Sequence, residues 1–391
     1  MKRVLVVHPY LRPHGGGQTV AAWALQALKS VCELSLFTCA PIDFEGINRF
    51  FGTDLHPGDF KIYLAPRSSI AILEKLPVPA ELLRNAMVQR WVKELDRREP
   101  FDVVLSTHNE MDFGRRGIQY VHYPWGHLPR PAEDLRWYHP VAAVRFYHRA
   151  CIRIGGLSKE RLRSNLTLAN SGFIAEKIRQ AHGIDALILP PPVPSGFPDV
   201  PWNQRREAFA GIGRLHECKR WDLAIEIVRR VRESGIDARL TLILTPDSRT
   251  AAETIYALAR RHPWITLHES IPRDQLVRIV AQHRYGIHAM ENEHFGIAPA
   301  ELQLGGCLTF VHRSGGPQEI VGREERLMFR DAGEAVAKIL AVMRDPDLQS
   351  SLRERAAARA ALYTAERFQL EIRRLVDEFP SDAMRRNSSL R

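Results

Sequence analysis

Short apolar runs alternate with amphipathic stretches along almost the whole chain, and a single proline-rich break interrupts them. Residues 3 to 7, RVLVV, form an apolar run bounded by turn signals. After a glycine-rich loop, HGGGQ (His14 to Gln18), the segment TVAAWALQALKS reads as a helix. The unit recurs in FDVVLSTHNE, which follows the amphipathic stretch 80 to 98, and again in GIQYVHYP. In LTLANSGFIAEKIRQAHG a strand passes through Asn170 and Ser171 into a helix closed by Gly183. Alternating β and α elements predict an α/β fold with a parallel sheet covered on both faces.

The break is LPPPVPSGFPDVPW, Leu189 to Trp202, where proline removes donors and restricts its neighbours, so a linker is expected. Beyond it the alternation restarts with EAFAGIGRL, WDLAIEIVRRVRESG, ARLTLILT, TAAETIYALARRHP, ITLHES, PRDQLVRIVAQH and RYGIHAM. Two Rossmann-like domains follow, at 1–189 and 203–365 with 190–202 as linker, and a C-terminal helix and tail at 366–391. Residues 332–378 read as helical, and the last residues, SDAMRRNSSLR, as disordered. The length of 391 residues agrees, because single cores stop growing at roughly 250 to 300 residues, and two domains imply a cleft.

Composition excludes several classes. At 45% hydrophobic and 26% charged residues the chain is globular rather than disordered or fibrous. The basic start MKR is followed by an apolar run that stops at His8 and Pro9, which is too short for a signal peptide. No window of about 18 uncharged apolar residues could span a bilayer. Five scattered cysteines without a CxxC pair point to a reducing compartment, and a cytoplasmic protein is expected.

A net charge of +10 asks for an anionic partner: nucleic acid, an anionic membrane or a phosphorylated small molecule. Residues 1–190 hold 25 Lys and Arg against 18 Asp and Glu, so most of the excess lies in the first half. It forms no tract with interleaved aromatics and no helix-turn-helix, zinc-finger or RNP pattern, so no nucleic-acid partner is expected.

The chemistry concentrates in ENEHFGIAPAELQLGGCLTFVHRSGGPQEI, Glu291 to Ile320. Pro299 favours the first turn of a helix and Gly305-Gly306 its end, which places Glu301 in that first turn and Glu293 in the loop before it. The amides of HFGIA, with the helix dipole behind them, suit a ligand with negative charge or many hydroxyls. Carboxylates accept hydrogen bonds from vicinal diols, so the pair suits a sugar and a ribose. The plainer reading is a carboxylate that complements the dipole and a solvated loop residue. In GRLHECKRWD, Arg214 and Lys219 are spaced to converge on a diphosphate, or are two surface cations. SGGPQEI is a second anion nest or a tight turn.

The motifs HPYLRPHGGG, YVHYP, ANSGF, LPPPV, GRLHECKR, NEHFGIAPAE and SGGPQEIV, in this order, resemble the retaining GT-B glycosyltransferases of family 4. The wording of VHYP and NEHFGI is closest to the α-1,2-mannosyltransferases that extend dolichol-linked oligosaccharide from GDP-mannose. The resemblance runs from Val4 to about Val321. It implies two Rossmann-like domains facing across a cleft, and transfer of a hexose from a nucleotide-diphosphate sugar to a saccharide or lipid-linked saccharide.

The same resemblance implies residue roles. Arg214 and Lys219 would hold the donor diphosphate, Glu301 the ribose hydroxyls, and Glu293 with the amides of His294, Phe295 and Gly296 the donor sugar. His122 would hydrogen-bond the transferred sugar, and Gly16 and Gly17 would let the backbone approach the donor closely. The chain reads EHFG where the family usually has EGFG, and ELQLGG in place of EAMACG. It also lacks the N-terminal membrane helix of the dolichol-linked enzymes.

No metal cofactor is expected, since arginine, lysine and helix N-termini supply the positive charge. The only Asp-x-Asp, Asp345-Pro-Asp347, reads as a helix start, and the histidines match no ligand spacing. The basic, aromatic-bearing segments 70–98 and 128–154 are candidates for peripheral contact with an anionic inner membrane face, or are ordinary amphipathic helices. A UDP-sugar with a soluble acceptor, and a silent nucleotide- or carbohydrate-binding protein, are the competing readings. HGGGQT is not G-x-G-x-x-G, which argues against a dinucleotide oxidoreductase.

Overall fold

The computed structural model describes residues 1–12, 15–75, 81–124, 141–247 and 249–380. The tail 381–391, the whole LPRPAEDLRWYHP run, 128–140, and residues 76–80 of the first basic segment lie outside the described residues. Backbone contacts divide the chain into two compact units, Met1–Pro191 with Phe368–Arg391, and Pro192–Arg367. Each unit is built on a parallel sheet of its own, as the alternation of elements predicts.

Unit 1 contains β1 (Arg3–Val7), β2 (Glu33–Thr38), β3 (Lys61–Leu64), β4 (Val103–Ser106), β5 (Ile118–Val121), β6 (Leu166–Ala169) and β7 (Leu187–Ile188). They lie in the order β3-β2-β1-β4-β5-β6-β7, every pair parallel. Strands covered on both faces need apolar residues throughout, and Val4 to Val7 are fully buried. Leu5, Val7 and Val104 pack with Val88 and Val92 of the helix Glu81–Arg98, while Val121 and Ala169 pack with Ile174 and Ile178 of the helix Gly172–His182. The second helix ends as its sequence demands. Ser171 accepts from the Ile174 amide at its start, and Gly183 takes the left-handed conformation at its end.

A buried charge cluster ties unit 1 together behind its sheet. Asp112 is fully buried and accepts from Lys93 Nζ at 2.9 Å, from Arg161 Nη2 at 2.8 Å, and from the amides of Gly114 and Ser158 at 2.8 Å each. Lys93 also donates to the carbonyls of Gly155 and Gly156, at the end of the helix Ala142–Gly155. That helix end therefore receives both a cation and two hydrogen bonds.

Unit 2 contains β8 (Arg206–Leu215), β9 (Arg239–Pro246), β10 (Ile265–Glu269), β11 (His283–His288), β12 (Leu308–His312) and β13 (Met328–Phe329). Their order is β10-β9-β8-β11-β12-β13, again all parallel. Its main core joins Phe209, Leu240, Tyr285, Ile287 and Phe310 of the sheet to Trp221, Ile225 and Val228 of the helix Trp221–Glu233. Residues 332–378 are helical at Ala332–Met343, Pro346–Ala360 and Ala365–Glu378, and Asp345 caps the second of these by accepting from the Leu348 amide. The proline-rich stretch holds one isolated bridge, Val193 with Thr364, and a 3₁₀ turn at Trp202–Gln204.

Both sheets share one topological property. Strand order reverses between β1 and β4 in unit 1 and between β8 and β11 in unit 2. In open parallel sheets a crevice opens at the carboxyl ends of the two strands that flank such a reversal.

Candidate functional site

In unit 2 the loops at the switch point follow β8 and β11. Gly211 and Gly213 lack side chains where Trp221 lies across β8: a Cβ would sit 2.8 Å and 3.0 Å from its ring. Trp221 also donates from its indole to the Arg214 carbonyl at 2.9 Å. This packing draws the 3₁₀ turn Glu217–Lys219 tight, with His216 Nδ1 accepting from the Cys218 amide. Lys219 is thereby delivered to the crevice, where its ammonium pairs with Glu293 and lies 3.2 Å from Met290 Sδ.

The loop after β11 is held from below. Asn292 adopts φ 51° and donates its amide to Ser314 Oγ at 2.7 Å, and the Gly316 amide donates to the Glu293 carbonyl at 2.8 Å. A Cβ on Gly315 would sit 2.2 Å from that carbonyl oxygen, and one on Gly316 2.6 Å from Phe295 Cα. The SGGP glycines thus make room for the Glu293 loop. The Phe295 side chain is an anchor, buried with Val193, Ala300, Ile320 and Tyr363. What the loop presents at the strand ends is the Glu293 carboxylate.

The electrostatics match that position. Burial works against the charge of Glu293, yet its pKa lies well below the ordinary carboxylate value because His288 and Lys219 approach it. His288 is buried with Nε2 3.6 Å from Glu293, beyond hydrogen-bond reach, and burial lowers its own pKa. Arg214, at the end of β8, is half exposed and pairs with Asp247 at 2.8 Å, just past β9.

Glu301 sits elsewhere on its helix than the sequence suggests. The helix runs Ile297–Leu304 with Gly296 at its cap, so Pro299 is the third residue and Glu301 the fifth, one turn in. The proline signal marked the first turn correctly, but the turn begins earlier because Gly296, at φ 96°, starts it. Gly305 ends the helix as expected. Glu301 is buried and ion-paired with Arg273, which sequence reasoning missed.

In unit 1 the switch point gathers histidines. Thr107 to Asn109 follow β4, His8 follows β1 and His122 follows β5. His122 Nε2 lies 3.0 Å from the Thr107 carbonyl, which only accepts, so this nitrogen carries the proton. Asn109, at φ 62°, accepts from the amides of His122 and Tyr123 at 2.8 and 3.0 Å and so fixes the histidine backbone. Gly16 and Gly17 form the first turn of the helix Gly16–Leu28 rather than the loop expected for them. The Thr19 amide closes that turn on the Gly15 carbonyl at 3.0 Å, because glycine is as acceptable at a helix start as in a loop. Gly17 faces His122: a Cβ there would lie 3.5 Å from Nε2. Burial holds the His108 pKa down at about 4 and lowers that of His8, whose ring lies 5.4 Å from His108.

The structure therefore brings Lys219 and Glu293 together, places Glu301 one helical turn beyond the Glu293 loop, and turns Arg214 toward Asp247. The residues missed were Asp247, Arg273, His288 and Asn109. Polar residues at the ends of β4 and β9, in STHNE and TPD, were the available signal, since every strand of a parallel sheet ends at the binding edge. His288, the last residue of β11, carried the same signal, and Arg273 carried none. Among the described residues no group of three His, Cys, Asp or Glu side chains could hold a metal ion, and no helix is long and apolar enough to cross a membrane.

Comparison with known proteins bears on the fold and family. Residues 196–359 match the family of glycosyl transferases group 1. The chain is similar to the GDP-Man:Man(3)GlcNAc(2)-PP-Dol alpha-1,2-mannosyltransferase of Homo sapiens, 25% identical over 47% of this chain and 42% of that protein. The match thus spans less than half of the human relative. The enzyme of the same name from Mus musculus is 24% identical over 92% of this chain and 83% of its own length. Among solved structures, WaaG, a glycosyltransferase involved in lipopolysaccharide biosynthesis, superposes with a TM-score of 0.65 at 15% identity, over 94% of this chain and 99% of that one.

Proposed function

With residues 196–359 belonging to the group 1 glycosyl transferases on a GT-B fold, we propose that this chain is a retaining hexosyltransferase that moves an α-mannosyl group from GDP-mannose to a hydroxyl of a saccharide or lipid-linked saccharide. The observation that carries the reading is the Lys219–Glu293 pair at the β8–β11 switch point, beside the N-terminal end of the Glu301 helix. Lys219 and Arg214 would take the donor diphosphate, releasing Glu293 to the hydroxyls of the sugar together with the amides of His294, Phe295 and Gly296. Glu301 would take the ribose diol.

Chemically, transfer builds positive charge on the sugar ring and negative charge on the departing diphosphate. Preorganised cations at the phosphate lower that barrier without a metal ion. The leaving phosphate can accept the proton of the attacking hydroxyl, so no side chain need act as base. Unit 1 would supply the acceptor side, with His122, Gly16 and Gly17 at its own switch point.

The deciding experiment is thermal stabilisation by GDP, UDP, ADP and dTDP and their sugars, in EDTA. GDP or GDP-mannose is expected to raise Tm, by roughly 2.7 kcal/mol of stabilisation at a hundredfold excess over Kd, and Glu301→Ala to abolish most of the shift. A shift confined to UDP would transfer the reading to a UDP-sugar, and no shift with any nucleotide would end it.

A membrane-bound acceptor finds support in the helix Ala142–Gly155. Arg145, Arg149 and Arg153 recur every fourth residue and are exposed, with Phe146 75% exposed beside them and Ile154 at the far end. Such a face suits an anionic interface. In liposome flotation at low salt the protein is expected to rise with vesicles rich in anionic lipid, and Arg149→Glu with Phe146→Ser to keep it in the soluble fraction. Wild-type protein that never floats removes the membrane from the proposal.

A further inference from the structure

Arg273 opens the helix Arg273–Ala281, which follows β10, and its guanidinium is held at three points. Nη1 is paired with Glu301 Oε1, Nη2 donates to the Pro194 carbonyl at 2.7 Å, and the Phe197 ring lies 5.4 Å from the guanidinium carbon. The side chain is only 17% exposed and that of Glu301 10%, while Nε is buried with no hydrogen-bond partner among the described residues. As a source of stability this arrangement is poor. Desolvating two charges offsets most of their attraction, and the orphaned Nε adds a further penalty.

As a way of fixing a direction it is effective. A glutamate side chain has three rotatable bonds and a carboxylate that turns freely at its end. A planar fork clamped to a carbonyl and an aromatic face permits one orientation of the carboxylate paired with it. Each carboxylate oxygen keeps a second lone pair, so Glu301 can hold the fork and still accept from a diol. The segment 194–197, which supplies Pro194 and Phe197, is thereby coupled to the same carboxylate.

Resting on the reading of Glu301 as the ribose-binding group, we propose that Arg273 is a positioning residue for donor recognition, orienting the Glu301 carboxylate toward the ribose 2′- and 3′-hydroxyls of the bound nucleoside diphosphate.

Calorimetric titration of the full chain with GDP and with 2′,3′-dideoxy-GDP, and with UDP and its dideoxy form in parallel, tests this. Arg273→Gln is expected to weaken GDP by about tenfold, the size of one lost hydrogen bond to a charged group, and to leave dideoxy-GDP unchanged. Glu301→Gln should show the same pattern, and Arg273→Lys should recover part of the GDP affinity. Equal weakening of both nucleotides, or unchanged GDP binding, overturns the role of Arg273 while leaving the ribose role of Glu301 standing if Glu301→Gln still discriminates. Wild-type protein that binds neither GDP nor UDP removes both readings together. Should Arg273→Gln not fold, Arg273→Lys and its combination with Glu301→Gln decide: additive losses in GDP affinity refute the coupling, and non-additive losses support it.

Discussion

Replacing Lys219 by alanine is expected to lower turnover by about 10²- to 10³-fold at saturating donor, the effect of removing one preorganised charge from a developing anion. The structure sharpens the expectation. Lys219 is the cation in contact with Glu293, so its loss leaves a carboxylate that is 16% exposed with His288 3.6 Å away. One of the causes that hold the Glu293 pKa down then disappears, and that pKa must rise. The residual activity should therefore fall off at a higher pH on the acid side than that of the wild type. Lys219→Ala with Glu293→Ala should regain stability without regaining rate, which separates repair of the buried charge from repair of the chemistry. Steady-state turnover against pH for the wild type and the two variants, with thermal melts for their stability, makes the comparison, and a wild-type rate in Lys219→Ala would remove that residue from the mechanism.

The largest effect on stability is expected at Asp112, in unit 1. Asp112→Ala leaves Lys93, 8% exposed, without its carboxylate, and breaking a buried pair from one side costs about 3–5 kcal/mol. For a unit of this size that corresponds to a Tm lower by roughly 10 °C. Burial raises the Asp112 pKa, but hydrogen bonds from Arg161, the Gly114 and Ser158 amides and Lys93 outweigh it and leave the pKa below the ordinary value. A carboxylate depressed in the folded state binds its proton more weakly there than in the unfolded chain. Its contribution is complete above the unfolded value of about 4 and is lost as the pH falls through the lower folded value. The stability of the wild type should therefore drop steeply below about pH 4, and Asp112→Ala should flatten that limb. Thermal melts from pH 3 to 7 test both points; an unchanged Tm at pH 7 would show that Lys93 finds other partners at no cost.

How much of this was legible beforehand depended on range. The helix from Gly172 to His182 could be read residue by residue, because Ser171 and Gly183 act within a few positions of themselves. The same holds for Asp345 as a cap and for Gly305 as a stop. The strands β2, β3, β7, β12 and β13 were not singled out. The edge strands β3 and β13 have only four and two residues, and LTFVH in β12 reads as the tail of the preceding glycine turn. Glu301 was placed one turn too early, and Gly16 and Gly17 one element too early, in the loop before their helix, both at helix starts where glycine and proline leave the first residue undetermined.

Local signals in the sequence, then, determined the α/β fold class and helix ends such as Ser171, Gly183 and Gly305, because period and caps act over a few residues. Pairing was decided by the tertiary structure alone. Lys219 meets Glu293 across 74 positions, Arg273 meets Glu301 across 28 and Lys93 meets Asp112 across 19. Which cation neutralises which carboxylate follows from the strand order of each unit's own sheet, β10-β9-β8-β11 in unit 2 and β1-β4-β5-β6 in unit 1, and strand order is set by the burial of whole faces, which no local spacing encodes.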